Sequence, residues 1–550
     1  MTLSRVAGGS STGAALDATG GATTQLIEIV LLLLVVSTVL AVVARRFAVP
    51  YPVVLVIGGL GLGFLPGLPA IELEPDLVFI LFLPPILFAA GYFTSLRALR
   101  LKATPIALLA VGLVLFTTVV VAAVAHALVP AMGWPAAFTL GAIVAPPDAV
   151  AATTIFQRLG VPRRIIIVLE GESLLNDATA LVAYRLAVGV AMGQISFSVV
   201  DAGTSFVVAA AGGVAIGLLV GIVVAWLVAR IDDEVFSVIV TFLAPVFAYV
   251  PADQMGLSGV LATVVAGIWV GLNSPKALSS RVRVSGFASW QILLFLVNGA
   301  VFILIGFTLP GALARLGDRT VGDLVFLAVA VSLAAIVARI VWIPTIYVPY
   351  LWRRRRTRAP GAAVVPMPEV RHLAIIGWAG MRGVVSLAAA LALPIDFPER
   401  DLIIFLTFAV ILATLVGQGL TLPLLINRLD IDDGAAGAGQ EEAFARYVTS
   451  DAAAARLDDL AAEWPGHLEL IDNLRAQYSH QTRHAVVRQD AESSDEEAEQ
   501  ELVEHRAIRM GALTAEREAL LGLRDRGAIS DQIFRRVERD LDLEEIRMEA

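Results

Sequence analysis

The chain has no cysteine, so neither a disulfide framework nor thiol chemistry enters its fold or function. Charge is sparse too. Only 16% of residues are Asp, Glu, Lys or Arg, against about a quarter in soluble domains. The net charge of −9 is uninformative about nucleic acid, because most of the acid sits in the last segment, and no nucleic-acid partner is expected. A nucleophilic enzyme is disfavoured as well. Ser173 has no base at its own depth, since His126 lies near an opposite end of the apolar region.

What fills the chain instead is apolar length: 57% of its 550 residues are hydrophobic, with mean hydropathy +0.80. Segments of about 20 apolar residues, long enough at 1.5 Å per residue to cross about 30 Å of hydrocarbon, recur between residues 25 and 427. Membrane lipid is therefore the expected surrounding. The reading gives about thirteen spans: 25–47, 51–69, 76–93, 103–128, 133–158, 164–192, 203–230, 232–251, 257–272, 286–310, 323–350, 370–393 and 401–427. Basic residues then orient them. Arg45, Arg46, Arg97 to Lys102, Arg158 to Arg164, Lys276 to Arg283 and the arginines at 353–356 fall on one side, whereas the other shows little beyond Arg5, Arg315, Arg319 and Arg400. Cytoplasmic loops retain Lys and Arg. The expectation is a multi-pass protein of the cytoplasmic membrane with its N-terminus outside and its C-terminus in the cytoplasm.

Three regions follow. Residues 1–24, rich in Gly, Ser, Thr and Ala, read as a disordered external lead, and residues 25–427 form the transmembrane domain. From residue 428 a Gly-rich acidic linker, IDDGAAGAGQEE, leads into sequence with apolar residues at three and four spacing among charges. That spacing predicts a cytoplasmic tail of amphipathic helices packed on itself or on a second copy. His480 and His484 make a pH-sensing role the sharper alternative for the tail.

Charges at membrane depth cost roughly 2.5–3.5 kcal/mol each, so they line pathways or pair with one another. In EGESLLNDATALVAY, residues 170–184, Asp177 lies about 20 Å along the sixth span, Asp148 about 15 Å into the fifth and Arg382 about 17 Å into the twelfth. All three reach one depth. Pro146 and Pro147 remove amide donors just before Asp148, and Gly377, Gly380 and Gly383 weaken the twelfth span at the equivalent level. Such breaks are tolerable only where they face protein, water or an ion, and paired broken helices in inverted repeats hold ions at the midplane of transporters. A six-plus-six inverted repeat with one intervening span would place the fifth and twelfth in this relation.

At about 100° per residue, Ser173 and Asp177 share a face while Glu172 points about 140° away. Glu172 is therefore expected to pair with Arg382, with Asn176 supporting the pair by hydrogen bonding. Arg185 and Glu170, nearer the span's ends, are read as snorkelling or pairing locally. Asp177 is left without a permanent counter-ion. A carboxylate in that position takes a proton or a small hard cation, and competition for one site carried alternately to two sides is exchange.

FLPPILFAAGY, GAIVAPPDAVAA, EGESLLNDATALV and GWAGMRGVVSLAAAL, in this order, resemble the sodium/proton exchanger family of monovalent cation:proton antiporters. The tail resembles the bacterial branch. The resemblance implies an all-α polytopic fold and homodimers in which a six-helix bundle moves against a dimerisation domain. It also implies that Asp177 carries proton and ion, with Asn176 beside it as in electroneutral members. Asp148 and Ser173 would then be further ion ligands, and Glu172 and Arg382 a structural ion pair. The cargo would be Na+ and H+, with K+ or Li+ as alternatives to Na+, and no cofactor is implied. Two positions depart from the pattern. Pro147 and Ala149 flank Asp148 where many members have a hydroxyl and a proline, and Ala89 stands where many have an acid. Broken helices favour a carrier over a gated cation channel lined by the same carboxylates.

Overall fold

Apolar segments bounded by proline and short polar residues become helices in the computed structural model, which describes residues 32–44, 46–47, 49–65, 78–195, 198–231, 233–316, 319–356, 370–429, 433–489, 496–526, 528 and 531–549. The lead expected at 1–24 lies outside these residues, as do the side chains of His480 and His484. Among the described residues every regular element is helical. The first are Leu32–Ala44 (α1), Tyr51–Gly63 (α2), Leu83–Phe93 (α3) and Ala103–Leu128 (α4). The fifth segment is split into Trp134–Val144 (α5a) and Ala149–Arg158 (α5b), and Arg163–Ala191 (α6) follows unbroken. Then come Val199–Val228 (α7), Glu234–Gln254 (α8), Gly259–Ala277 (α9), Ser280–Ala314 (α10) and Val321–Arg356 (α11). The twelfth segment is split again, into Val370–Trp378 (α12a) and Val384–Leu391 (α12b), before Arg400–Leu429 (α13).

Ser198, Asp233, Ser258 and Ser279 cap α7 to α10, each side chain accepting a hydrogen bond from an amide of the first turn. Eight helices among the described residues are long and apolar enough to cross a membrane, and three shorter ones are apolar. The 29-residue α6 is long enough but carries Glu170, Glu172, Asp177 and Arg185. The outer faces suit lipid: Val207, Val208, Leu219 and Trp226 on α7 are exposed. Inside, backbones meet closely. A Cβ on Gly59 of α2 would strike the carbonyl of Ile303 on α10, and one on Gly306 of α10 the carbonyl of Val56. This chain is a multi-pass membrane protein.

The described residues from Asp433 onward form a separate compact unit. It contains Asp433–Glu463 (α14), Leu468–Gln489 (α15), Glu496–Asp525 (α16) and Asp531–Glu549 (α17). Leu513, Leu520, Phe534 and Leu541 close the last two helices on one another, and Arg475 bonds Asp458 at 2.6 Å across α14 and α15. The stretch read as a Gly-rich linker is helical from Asp433. Alanines between its glycines, and propagation from the long helix behind them, outweigh the cost of about 1 kcal/mol per glycine.

The two breaks touch. The Asp148 amide donates to the carbonyl of Met381 at 2.6 Å, so the irregular stretches at 145–148 and 379–383 run against each other. Arg382 lies behind this junction. Its guanidinium donates to the carbonyls of Val144 at 3.0 Å, Ala335 at 3.3 Å and Gly380, and its amide donates to Thr414 Oγ1 at 3.1 Å. Glu172 does not pair with it, contrary to the expectation above. The partner is Arg339 of α11, whose Nη1 and Nη2 meet the two Glu172 oxygens at 2.5 and 2.8 Å while Nε donates to Ile376 O at 3.0 Å. Carbonyls freed by the breaks draw Arg382 to themselves, and a second arginine takes the carboxylate. Asn176 also differs from expectation, its Nδ2 donating at 3.0 Å to Pro147 O and not supporting an ion pair.

Both members of the Glu172–Arg339 pair are 1% exposed, so deleting one strands the other. Glu172→Gln or Arg339→Leu is expected to lower unfolding stability of the purified protein by about 3–5 kcal/mol, with the paired replacement by apolar residues recovering most of it. Loss of less than about 0.5 kcal/mol in either single variant would contradict this account. A Cβ at Gly383 would lodge in the Asp148 carboxylate. Gly383→Ala is accordingly expected to lower the unfolding stability of the purified protein by about 1–3 kcal/mol.

Candidate functional site

Helical spacing on α6 puts Ser173 and Asp177 one turn apart on one face, and that face looks into a cavity of about 510 Å³. The α5 break brings Pro146, Pro147 and Asp148 to the same cavity, and the α12 break brings Gly383. The remaining wall is mostly apolar, with Leu83, Leu87 and Phe93 from α3 and Phe287 and Leu294 from α10. At one end Phe93 and Phe287 are half exposed and meet edge to face at 5.5 Å, while Asp177 lies deep at 6% exposure. Glu170 also lines the cavity.

The two aspartates are held differently. Asp148 caps α5b, its Oδ1 accepting from the Val150 amide at 2.8 Å, and the Gly383 backbone packs directly on its carboxylate. Ser173 Oγ accepts from the Ala149 amide at 3.4 Å, which ties α6 to the start of α5b. For Asp177 no side-chain hydrogen bond or ion pair exists among the described residues. A buried carboxylate without a partner is costly to leave bare, and binding a proton or a small cation removes that cost. Its neighbours supply only oxygen ligands, which suit hard cations.

Of the residues singled out from sequence, Asp148, Ser173, Asp177, Pro146, Pro147 and Gly383 converge on this cavity. Asn176 faces the α5 break, whereas Glu172, Arg382 and Gly380 stand behind the site in the polar layer already described. Arg185, near the far end of α6, pairs with Asp253 of α8. Sequence reading overlooked Arg339, although a lone arginine within VSLAAIVARIVW carries the same signal of depth that marked Arg382. It also overlooked Thr414, Asn298 and Ser386. Single hydroxyls and amides in apolar helices commonly bond their own backbone, and nothing local distinguishes these three.

Residues 30–428 match the family profile described as sodium/hydrogen exchanger, transmembrane. An uncharacterized Na+/H+ exchanger of Mycobacterium bovis is 34% identical over 525 residues, covering 94% of each chain. A sodium, potassium, lithium and rubidium/H+ antiporter of Bacillus pumilus is 33% identical over 411 residues, 70% of this chain and 60% of that one. Among solved structures, the sodium proton antiporter MjNhaP1 from Methanocaldococcus jannaschii superposes with a TM-score of 0.59 at 20% identity, over 73% of this chain and 98% of that one. That likeness is one of fold. The profile and the identity over nearly the whole chain together place this protein in the sodium/hydrogen exchanger family.

Proposed function

We propose that the protein is a secondary antiporter that exchanges Na+ for H+ by alternating access, the two competing for Asp177. The observation that carries this reading is an unpaired carboxylate, deep in a cavity, beside the contact of two broken helices. Asp148 and Ser173 stand close enough around the cavity to share a bound ion, and Asn176 puts a neutral amide where a second acid would add charge. One titrating carboxylate trading one proton for one monovalent cation is electroneutral. The name of the Bacillus pumilus relative adds K+ and Li+ as alternative cargo.

The remainder of the proposal concerns placement. The helical segments α1 to α13 among the described residues, with the fifth and twelfth broken, suit a six-plus-six inverted repeat in which an offset of seven reverses direction across the membrane. The cavity mouth at Phe93 and Thr94 adjoins the basic stretch Arg97 to Lys102, so the positive-inside rule makes it cytoplasmic and the state inward-open. The N-terminus then lies outside, the C-terminal unit lies in the cytoplasm, and two copies assemble in the cytoplasmic membrane.

Reconstituted into liposomes, Asp177→Ala is expected to lose cation-driven proton flux altogether while retaining its unfolding midpoint. Undiminished flux in that variant would sink the assignment. Wild-type flux is expected to be indifferent to an imposed membrane potential, and a clear voltage response would mean that net charge crosses with each cycle. Lowering the pH on the cation side is expected to raise the apparent KM for Na+ without lowering the rate at saturating Na+, as competition for one group requires.

A further inference from the structure

Two polar side chains on the cavity wall have no role in what has been described so far. Asn298, midway along α10, is 6% exposed, and Ser386, in the first turn of α12b, is 1% exposed. Both line the cavity that holds Asp148 and Asp177, and both Asn298 Oδ1 and Ser386 Oγ are buried without a hydrogen-bond partner. Buried oxygens are nearly always satisfied, and one that is not needs an explanation, which at a cavity wall a bound ion can supply. The contrast with neighbouring hydroxyls is sharp. Thr407 and Thr414, equally buried, each donate to a carbonyl of the preceding turn.

A small cation entering this site needs oxygens to replace its hydration shell. Asp148 Oδ1 and Ser173 Oγ are already engaged with backbone amides, and position 89, on the same wall, offers only the methyl of an alanine. With part of that acceptor capacity taken, Asp177, Asp148 and Ser173 leave the shell incomplete. We propose that Asn298 Oδ1 and Ser386 Oγ are neutral ligands completing the shell of the cation held by Asp177, and that they set which monovalent cation is carried. The inference rests on the antiport reading above and adds its selectivity. Neutral dipoles discriminate among cations of equal charge by the number and spacing of oxygens they present, whereas a proton on Asp177 needs neither.

The test uses the full-length protein in liposomes with Li+, Na+ or K+ as the driving cation. Asn298→Leu and Ser386→Ala remove the oxygens, and Asn298→Ser keeps one. Removal is expected to raise the apparent KM for the preferred cation by about tenfold, the scale of one lost ligand oxygen, and to change the Li+:Na+:K+ ratio. The rate at saturating cation should change little, and Asn298→Ser should hold the wild-type order of preference. A parallel readout in detergent is the rise in unfolding temperature on adding each chloride salt, with choline chloride as the blank. That rise should shrink for the preferred cation in both oxygen-removing variants. Should Asn298→Leu fail to fold, Ser386→Ala and Asn298→Ser decide the matter. Unchanged KM values and ratios in the folded variants, or an equal fall in maximal rate for all three cations with KM intact, would overturn the proposal. Failure of the antiport reading looks different, since it would appear as full exchange by Asp177→Ala.

Discussion

Two helices interrupted at membrane depth leave amides and carbonyls that neither lipid nor their own helices can satisfy, and this constraint dictates the chemistry around the site. The solution is cross-bonding. Asp148 N reaches Met381 O, Asn176 reaches Pro147 O, and Arg382 spreads its guanidinium over Val144, Gly380 and Ala335. Arginine suits this task better than lysine would, because its planar fork presents five donors in fixed directions. What looked in the sequence like a partner for a carboxylate is a solvating group for broken backbone.

Charges in this layer therefore fall into two kinds. Arg339 and Glu172 neutralise one another through two parallel hydrogen bonds with almost no exposure, and Arg339 Nε also anchors α12a at Ile376. Such a pair cannot give up a member without stranding the other, so it holds α6, α11 and α12a together. Asp177 is the opposite case. It sits five positions along the same helix, lines the cavity and meets no cationic side chain among the described residues. One helix thus carries a charge neutralised within the protein and, on the reading proposed above, a charge neutralised by cargo, separated by rotation about its axis.

Much of this was legible in the sequence because it depends on local rules. Span lengths, the break at Pro146 and Pro147, and the shared face of Ser173 and Asp177 follow from hydrophobic runs, proline geometry and the helical angle. The direction of Glu172 away from the site followed as well. The identity of its partner did not, because two arginines lie at similar depth and only tertiary packing decides which one the broken backbone claims. The linker after residue 428 failed for a related reason: glycine spacing signals a boundary, but a long helix behind it can extend through. Asn298 and Ser386 were invisible, since a buried polar atom is informative only once its lack of a partner is known.

The pattern of bonds also says which movement the molecule can make at least expense. The site helices α5, α6 and α12 are joined to one another by the hydrogen bonds above, whereas α3 meets α6 through apolar contacts of Leu83 and Leu87 with Leu174 and Ala178. Tyr92 of α3 and Trp290 of α10 find their partners on the other side, Tyr92 on Ser274 of α9 and Trp290 Nε1 on Thr241 of α8, both at 3.2 Å. Apolar surfaces can slide without stranding donors or acceptors, so a displacement that keeps α5, α6 and α12 as one piece against α3, α8, α9 and α10 breaks little. An ion pair does cross that divide: Arg185 of α6 to Asp253 of α8, with side chains 49% and 39% exposed. Exposed pairs of this kind contribute about 0–1 kcal/mol, small enough to form and release within a transport cycle. The same geometry that makes the buried Glu172–Arg339 pair permanent makes this one dispensable, and the difference lies in access to water.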